Sequence, residues 1–125
     1  MKKIINSEKA PAPIGPYSQA VQVGETVYVS GQIPIDQPSG TLIDQSIEAE
    51  TEQVMKNIGY ILEEVGATYD NLVKCSIFVS DMSNFSKVNG VYGKYFDSDP
   101  PARETVEVSG LPKGVNVEIS CIAVL

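Results

Sequence analysis

Pro100-Pro101-Ala102-Arg103-Glu104-Thr105-Val106-Glu107-Val108, then Ser109-Gly110-Leu111-Pro112-Lys113-Gly114, then Val115-Asn116-Val117-Glu118-Ile119-Ser120-Cys121-Ile122-Ala123-Val124, reads as two strands joined by a turn-rich connection. In the second strand a period of two puts Val115, Val117, Ile119, Cys121 and Ala123 on one face and Asn116, Glu118 and Ser120 on the other. Glu118 therefore looks away from the core. In the first strand Arg103, Thr105 and Glu107 share a face, and Glu104, Val106 and Val108 share the opposite one. If the two strands are neighbours with their polar faces on the same side, Arg103 and Glu118 lie near a common surface. A cation and an acid on a rigid sheet can bind and activate a small carboxylate substrate. The plainer reading of the same pair is a cross-strand ion pair.

Upstream, Asn84 to about Phe96 carries Phe85, Val88, Tyr92 and Tyr95 or Phe96 at helical spacing, with Gly90 and Gly93 each weakening the helix by roughly 1 kcal/mol relative to alanine. Such glycines suggest a tight contact with the sheet or a neighbouring subunit. Val73, Cys75, Ile77 and Val79 alternate with Lys74, Ser76 and Phe78 as a strand with one apolar face. From Ser46 to Val65, Ile47, Val54, Ile58, Ile61 and Val65 define the apolar stripe of a second amphipathic helix, ended by Gly66. Its acid-rich first turns meet the positive end of the helix dipole, and Glu48, Glu50, Glu52, Glu63 and Glu64 are mostly left for water rather than gathered into a metal site. Ser18–Val23 and Thr26–Gln32 form a hairpin about Gly24-Glu25, where a leading glycine suits a type II′ turn. Ile33-Pro34-Ile35 is a further short extended piece. Gly31 leaves room for a close approach to the backbone or marks a bulge. The proline-rich Ala10–Pro16 is a stiff lead-in that delivers Tyr17.

The order strand, strand, short strand, helix, strand, helix, strand, strand predicts a single α+β domain over residues 1–125, with two helices on one face of a mixed sheet of about six strands. The opposite face, read as Ser18, Arg103, Thr105, Asn116, Glu118 and Ser120, is too polar for a second helix layer and suits subunit association. Hydrophobic residues make up 42% and charged residues 20%, ordinary for a folded domain. A net charge of −7 opposes broad attraction to nucleic acid or anionic membranes. With no histidine, a Ser-His-Asp triad, an HExxH zinc site and a histidine base are excluded. Cys75 and Cys121 read as reduced, buried packing residues, and no export signal or spanning segment is visible, so a cytoplasmic protein is expected.

The run Pro101-Ala102-Arg103, Val106, Ser109, Leu111 and Val117-Glu118-Ile119 resembles the signature of the RidA (YjgF/YER057c/UK114) family. The resemblance continues in Ala12–Ala20, in Ser30-Gly31-Gln32-Ile33-Pro34 and in Phe85-Ser86-Lys87-Val88-Asn89, and so covers nearly the whole chain. It implies a fold similar to chorismate mutase of the bacillus type and a homotrimer with sites between subunits. It also implies hydrolytic deamination of reactive 2-imino acids such as 2-iminopropanoate and 2-iminobutanoate to 2-oxo acids and ammonia, without cofactor or metal. On that resemblance Arg103 and Glu118 are the catalytic pair, and Tyr17, Ser30, Gly31, Asn89 and Thr105 join Arg103 around the substrate. Two features depart from the pattern: Glu104 stands where the family usually has a small or apolar residue, and Thr105 stands where deaminase-active members often carry cysteine. A non-catalytic regulatory protein that binds a small carboxylate is the alternative from another class. Nucleic-acid binding or cleavage, a label some family members have carried, is opposed by the charge, the missing histidine and the lack of a basic, aromatic-rich face.

Overall fold

The computed structural model describes residues 1–125, and its central strand is β8 (Val117–Val124). Val117, Ile119, Cys121 and Ala123 of that strand are all buried, as the alternation predicts. A strand with one fully apolar face gains most when both its edges are also paired, and β8 lies between β3 (Thr26–Gln32) and β6 (Leu72–Val79), antiparallel to both. With β1 (Lys2–Ile5), β2 (Ala20–Val23) and β7 (Ala102–Glu107), the sheet runs β1-β2-β3-β8-β6-β7, and the short β4 (Ile35–Asp36) and β5 (Thr41–Leu42) pair separately.

Three expectations change here. The strands carrying Arg103 and Glu118 follow one another in sequence but are not neighbours, because β6 lies between them. β7 is instead parallel to β6, with helix α2 (Phe85–Gly93) as the crossover that a parallel pair requires. The sixth strand is the lysine-bearing N-terminus, a segment in which no strand was expected; it buries just Ile5 and forms an edge. In β6 a register shift between Leu72 and Lys74 turns Leu72 inward and leaves Val73 46% exposed, so the inward set is Leu72, Cys75, Ile77 and Val79.

Helix α1 (Ile47–Glu63) begins at Ser46, whose hydroxyl accepts from the Ala49 amide at 3.0 Å, and Gly66 at φ +70° follows its end. Val54, Met55, Ile58, Ile61 and Leu62 pack onto the inner faces of β3, β6 and β8 in one hydrophobic cluster with Val88 and Tyr92 of α2. Both helices thus cover the same side of the sheet. Glu50 is not on the solvated face. It is 2% exposed, and its carboxylate accepts from the Asn116 amide at 2.9 Å and the Asn116 side chain at 2.7 Å, tying α1 to the start of β8. Asn57, also buried, donates to the carbonyls of Ile33 and Ile35. Helix α2 is shorter than its periodicity suggests, and no other part of the chain lies within 4 Å of a Cβ built on Gly90 or Gly93, so these glycines serve no contact with the sheet. The far side of the sheet, bearing Tyr28, Phe78, Val106, Glu118 and Ile122, is covered by no element of the chain.

Candidate active site

Arg103 stands in register with Cys75 on the parallel neighbour β6. Because Cys75 is fully buried in the core, Arg103 shares the helix-side face, at the open edge of the sheet. Its Nη1 donates to Asn89 Oδ1 at 2.5 Å, and its Cζ lies 5.5 Å from the ring of Phe85 and 5.3 Å from that of Tyr92. No carboxylate pairs with it; the ion pairs of the chain are Lys9–Glu63 and Lys74–Glu104. Beside the guanidinium opens a cavity of about 440 Å³, bordered by Asn89, Tyr92, Gly93, Phe96 and the Pro100-Pro101 pair. Thr105, two residues on and in register with Ile77, turns the same way, and its buried hydroxyl has no hydrogen-bond partner. Burial pushes both the Cys75 thiol and the Tyr92 hydroxyl up, so neither supplies an anion beneath Arg103.

Glu118 occupies the other face. Its register partner is Phe78, and it points over the irregular stretch of β3 between Val29 and Gln32. Gly31 makes this possible: a Cβ there would lie 2.8 Å from Glu118 Cδ and 3.1 Å from Cγ. Both readings of Gly31 therefore hold, since the strand is irregular here and the approaching group is the glutamate. Burial pushes the Glu118 carboxyl up. Around it Ile14, Tyr17, Ser30, Gly31, Ile33 and Pro112 border a second cavity of about 360 Å³. Ser30 already donates its hydroxyl to the Ser18 carbonyl at 2.6 Å, so towards this cavity it offers only lone pairs. Tyr17 is 49% exposed at the rim.

The lead-in that brings Tyr17 here depends on a residue that sequence reasoning missed. Gln19, 2% exposed, accepts from the Ser7 amide at 2.7 Å and donates to the carbonyls of Ser7, Ala10 and Pro11. Within its own segment nothing marks it: the strand alternation puts its neighbour Ala20, not Gln19, on the inward face.

The chain thus brings Tyr17, Ser30, Gly31 and Glu118 together, and brings Asn89, Arg103 and Thr105 together, but it does not join the two groups. The expected common surface for Arg103 and Glu118 fails because odd-numbered residues of β7 face the helices whereas even-numbered residues of β8 face away from them. Arg103 and Thr105 accordingly leave the uncovered face on which the sequence reading put them. Glu104 is what β7 presents there: it accepts from Ser76, its Oε1 lies 3.0 Å from Lys74 Nζ, and these two partners hold its carboxyl below the usual range. Of the two departures from the family pattern, Glu104 is turned away from Arg103 and engaged elsewhere, whereas Thr105 shares its face.

A protein-family model described as endoribonuclease L-PSP matches residues 7–125. The chain is 48% identical over 124 residues to the 2-iminobutanoate/2-iminopropanoate deaminase of Bos taurus, covering 99% of this chain and 90% of that one. It is 50% identical over 123 residues to a RutC family protein of Saccharolobus solfataricus, covering 98% of each. Among solved structures, a Rid family protein of unknown function from Yersinia pestis superposes with a TM-score of 0.97 at 48% identity, covering all of both chains.

Proposed function

Since the chain belongs to the RidA/YjgF family, we propose that it hydrolyses short 2-imino acids, in the cytoplasm, to 2-oxo acids and ammonia. The observation that carries this reading is an arginine with no acidic partner, its donors facing a cavity, together with a glutamate whose carboxyl burial pushes up in a second cavity. Arg103 binds the substrate carboxylate through two parallel N–H···O bonds, a fork that lysine does not present. Asn89 fixes the other side of the guanidinium, and Thr105, two residues on and on the same face, is a further contact beside the arginine. Glu118 accepts a proton from the attacking water as its oxygen bonds to the carbon of the protonated imine and the C=N π pair passes to nitrogen. In the resulting carbinolamine the same carboxyl gives its proton to the amino group and, as the C–N bond breaks, takes the hydroxyl proton, so that the 2-oxo acid and ammonia are released. Tyr17 closes the rim, Ser30 lends lone pairs, and Gly31 admits the carboxylate.

The two halves lie on opposite faces, and this supports a site shared between chains. One copy's Glu118 half set against the next copy's Arg103 half is a head-to-tail contact, which forms a ring when its rotation closes and a filament when it does not. A homotrimer is the ring we propose, with its uncovered sheet faces turned inward. A ribonuclease activity, which the description of the family model names, is disfavoured by a net charge of −7 and the absence of any histidine. The test is an assay coupled to a threonine dehydratase, following the appearance of 2-oxobutanoate. Acceleration by the protein, abolished in Arg103→Ala, is expected. Binding of 2-oxobutanoate without acceleration would instead identify a non-catalytic carboxylate-binding protein.

A further inference from the structure

Phe85 is 37% exposed and lies outside the hydrophobic cluster, so core packing does not account for it. Its contact is Arg103. Phe85, Asn89 and Tyr92 follow the helical spacing i, i+4, i+7 and form one row on α2, across which the arginine side chain lies. Seven residues of helix span about 10.5 Å. The guanidinium carbon, 5.5 Å from one ring and 5.3 Å from the other, is nearly equidistant from the two ends of the row, and its Nη1 donates to the oxygen of Asn89 between them. Tyr92, 4% exposed, is held by the core and cannot adjust, whereas Phe85 is the outer jaw, at the first turn of the helix.

An arginine carries several rotatable bonds, and an exposed one ordinarily samples many rotamers. We infer that Phe85 is a positioning residue which, with Asn89 and Tyr92, clamps the Arg103 guanidinium in one plane before substrate arrives, so that its outer edge is already set for a carboxylate. The inference rests on the proposal that Arg103 binds the substrate carboxylate. It predicts that Phe85 acts on binding and leaves the chemical step, which belongs to Glu118, unaffected.

Two variants, Phe85→Leu and Phe85→Tyr, are compared with the wild-type protein after thermal melts establish that all are folded. Phe85→Leu keeps apolar bulk but has no ring face; Phe85→Tyr keeps the ring. Phe85→Leu is expected to weaken 2-oxobutanoate binding and raise KM by about three- to tenfold, the range a cation–π contact supports, with kcat within about twofold. Phe85→Tyr should restore both to within about twofold. The Arg103 Nε–Hε resonance, read by NMR without ligand, gives a second measure. The wild type and Phe85→Tyr should share one ring-current displacement, and Phe85→Leu, left with the Tyr92 ring alone, should move away from it. Equal affinity and an unmoved resonance in Phe85→Leu would overturn the clamp, as would equal losses in both variants. A wild-type protein that fails to bind 2-oxobutanoate would sink the carboxylate reading alone, and the resonance would still decide whether Phe85 orders Arg103.

Discussion

Substituting Gly31 by alanine tests whether Glu118 works from the place where the structure holds it. The new Cβ would stand 2.8 Å from Glu118 Cδ, against the 3.4 Å at which ordinary contact begins, so Cδ must retreat by about 0.6 Å, and Oε2, closer still, by more. The yielding group is the end of a flexible side chain. Its cost is therefore that of a displaced torsion, about 0.5–1.5 kcal/mol. Gly31 does not adopt a positive φ, so alanine is not strained there, and the loss of unfolded-state freedom returns about 0.4–1 kcal/mol. Stability should change by less than about 1 kcal/mol in thermal or denaturant unfolding. Activity should not be spared: moving a reacting group by about 1 Å can lower turnover by about 10²-fold. Binding of 2-oxobutanoate, which relies on Arg103 on the other face, should remain within severalfold by calorimetry. Full activity in a folded Gly31→Ala protein would refute the role given to Glu118. A protein that no longer folds would show instead that the glycine serves the backbone of β3.

Arg103→Ala should abolish both 2-oxobutanoate binding and turnover, since charge-assisted hydrogen bonds contribute about 1.5–3 kcal/mol each, and Arg103→Lys should recover little; calorimetry and the coupled assay read the two effects. Glu118→Gln should keep binding but lower turnover by roughly 10²–10⁴-fold. Because burial raises the Glu118 carboxyl, wild-type turnover should rise with pH above the range of an ordinary glutamate, a limb absent from the variant. The same shift favours the protonated acid in the fold, so this group's contribution to stability is fully present below its unfolded pKa and lost as pH rises through the folded one; Glu118→Gln should melt no lower than wild type at about pH 8, with the difference gone below about pH 4. The double variant Cys75→Ala, Cys121→Ala should lose some stability to small core cavities but retain turnover, measured on folded protein. Light scattering should give three times the chain mass across concentrations, whereas a single-chain mass throughout would remove the shared site.

The elements most legible in the sequence were those whose periodicity is also their packing. β8 shows its buried face residue by residue, and α1 shows its stripe and its terminating Gly66. Gly31 was legible as a place of close approach, though the group approaching it came from a strand more than eighty residues away. Pairing was legible for the β2–β3 hairpin about Gly24-Glu25 but not between strands distant in sequence. Nothing within Ala102–Glu107 states that β6 is its partner; that follows from the crossover through α2, and it decides which face Arg103 takes. Glu50 and Gln19 were hidden for a related reason. Each looks like a surface residue in its own segment, and each is buried because a distant segment supplies its hydrogen bonds.

The placement of Arg103 and Glu118 on opposite faces also bears on heredity. If each site takes its arginine from one copy and its glutamate from the next, a defective gene product does not fail in private. A copy faulty in both residues spoils two of the ring's sites, so a mixed population suffers beyond the dose of that allele, whereas a copy faulty in one residue spoils a single site. The converse holds for two different faults. Chains lacking only Arg103 and chains lacking only Glu118, each inert alone, would on random mixing recover an intact pair at roughly one site in four, where a sound arginine happens to face a sound glutamate.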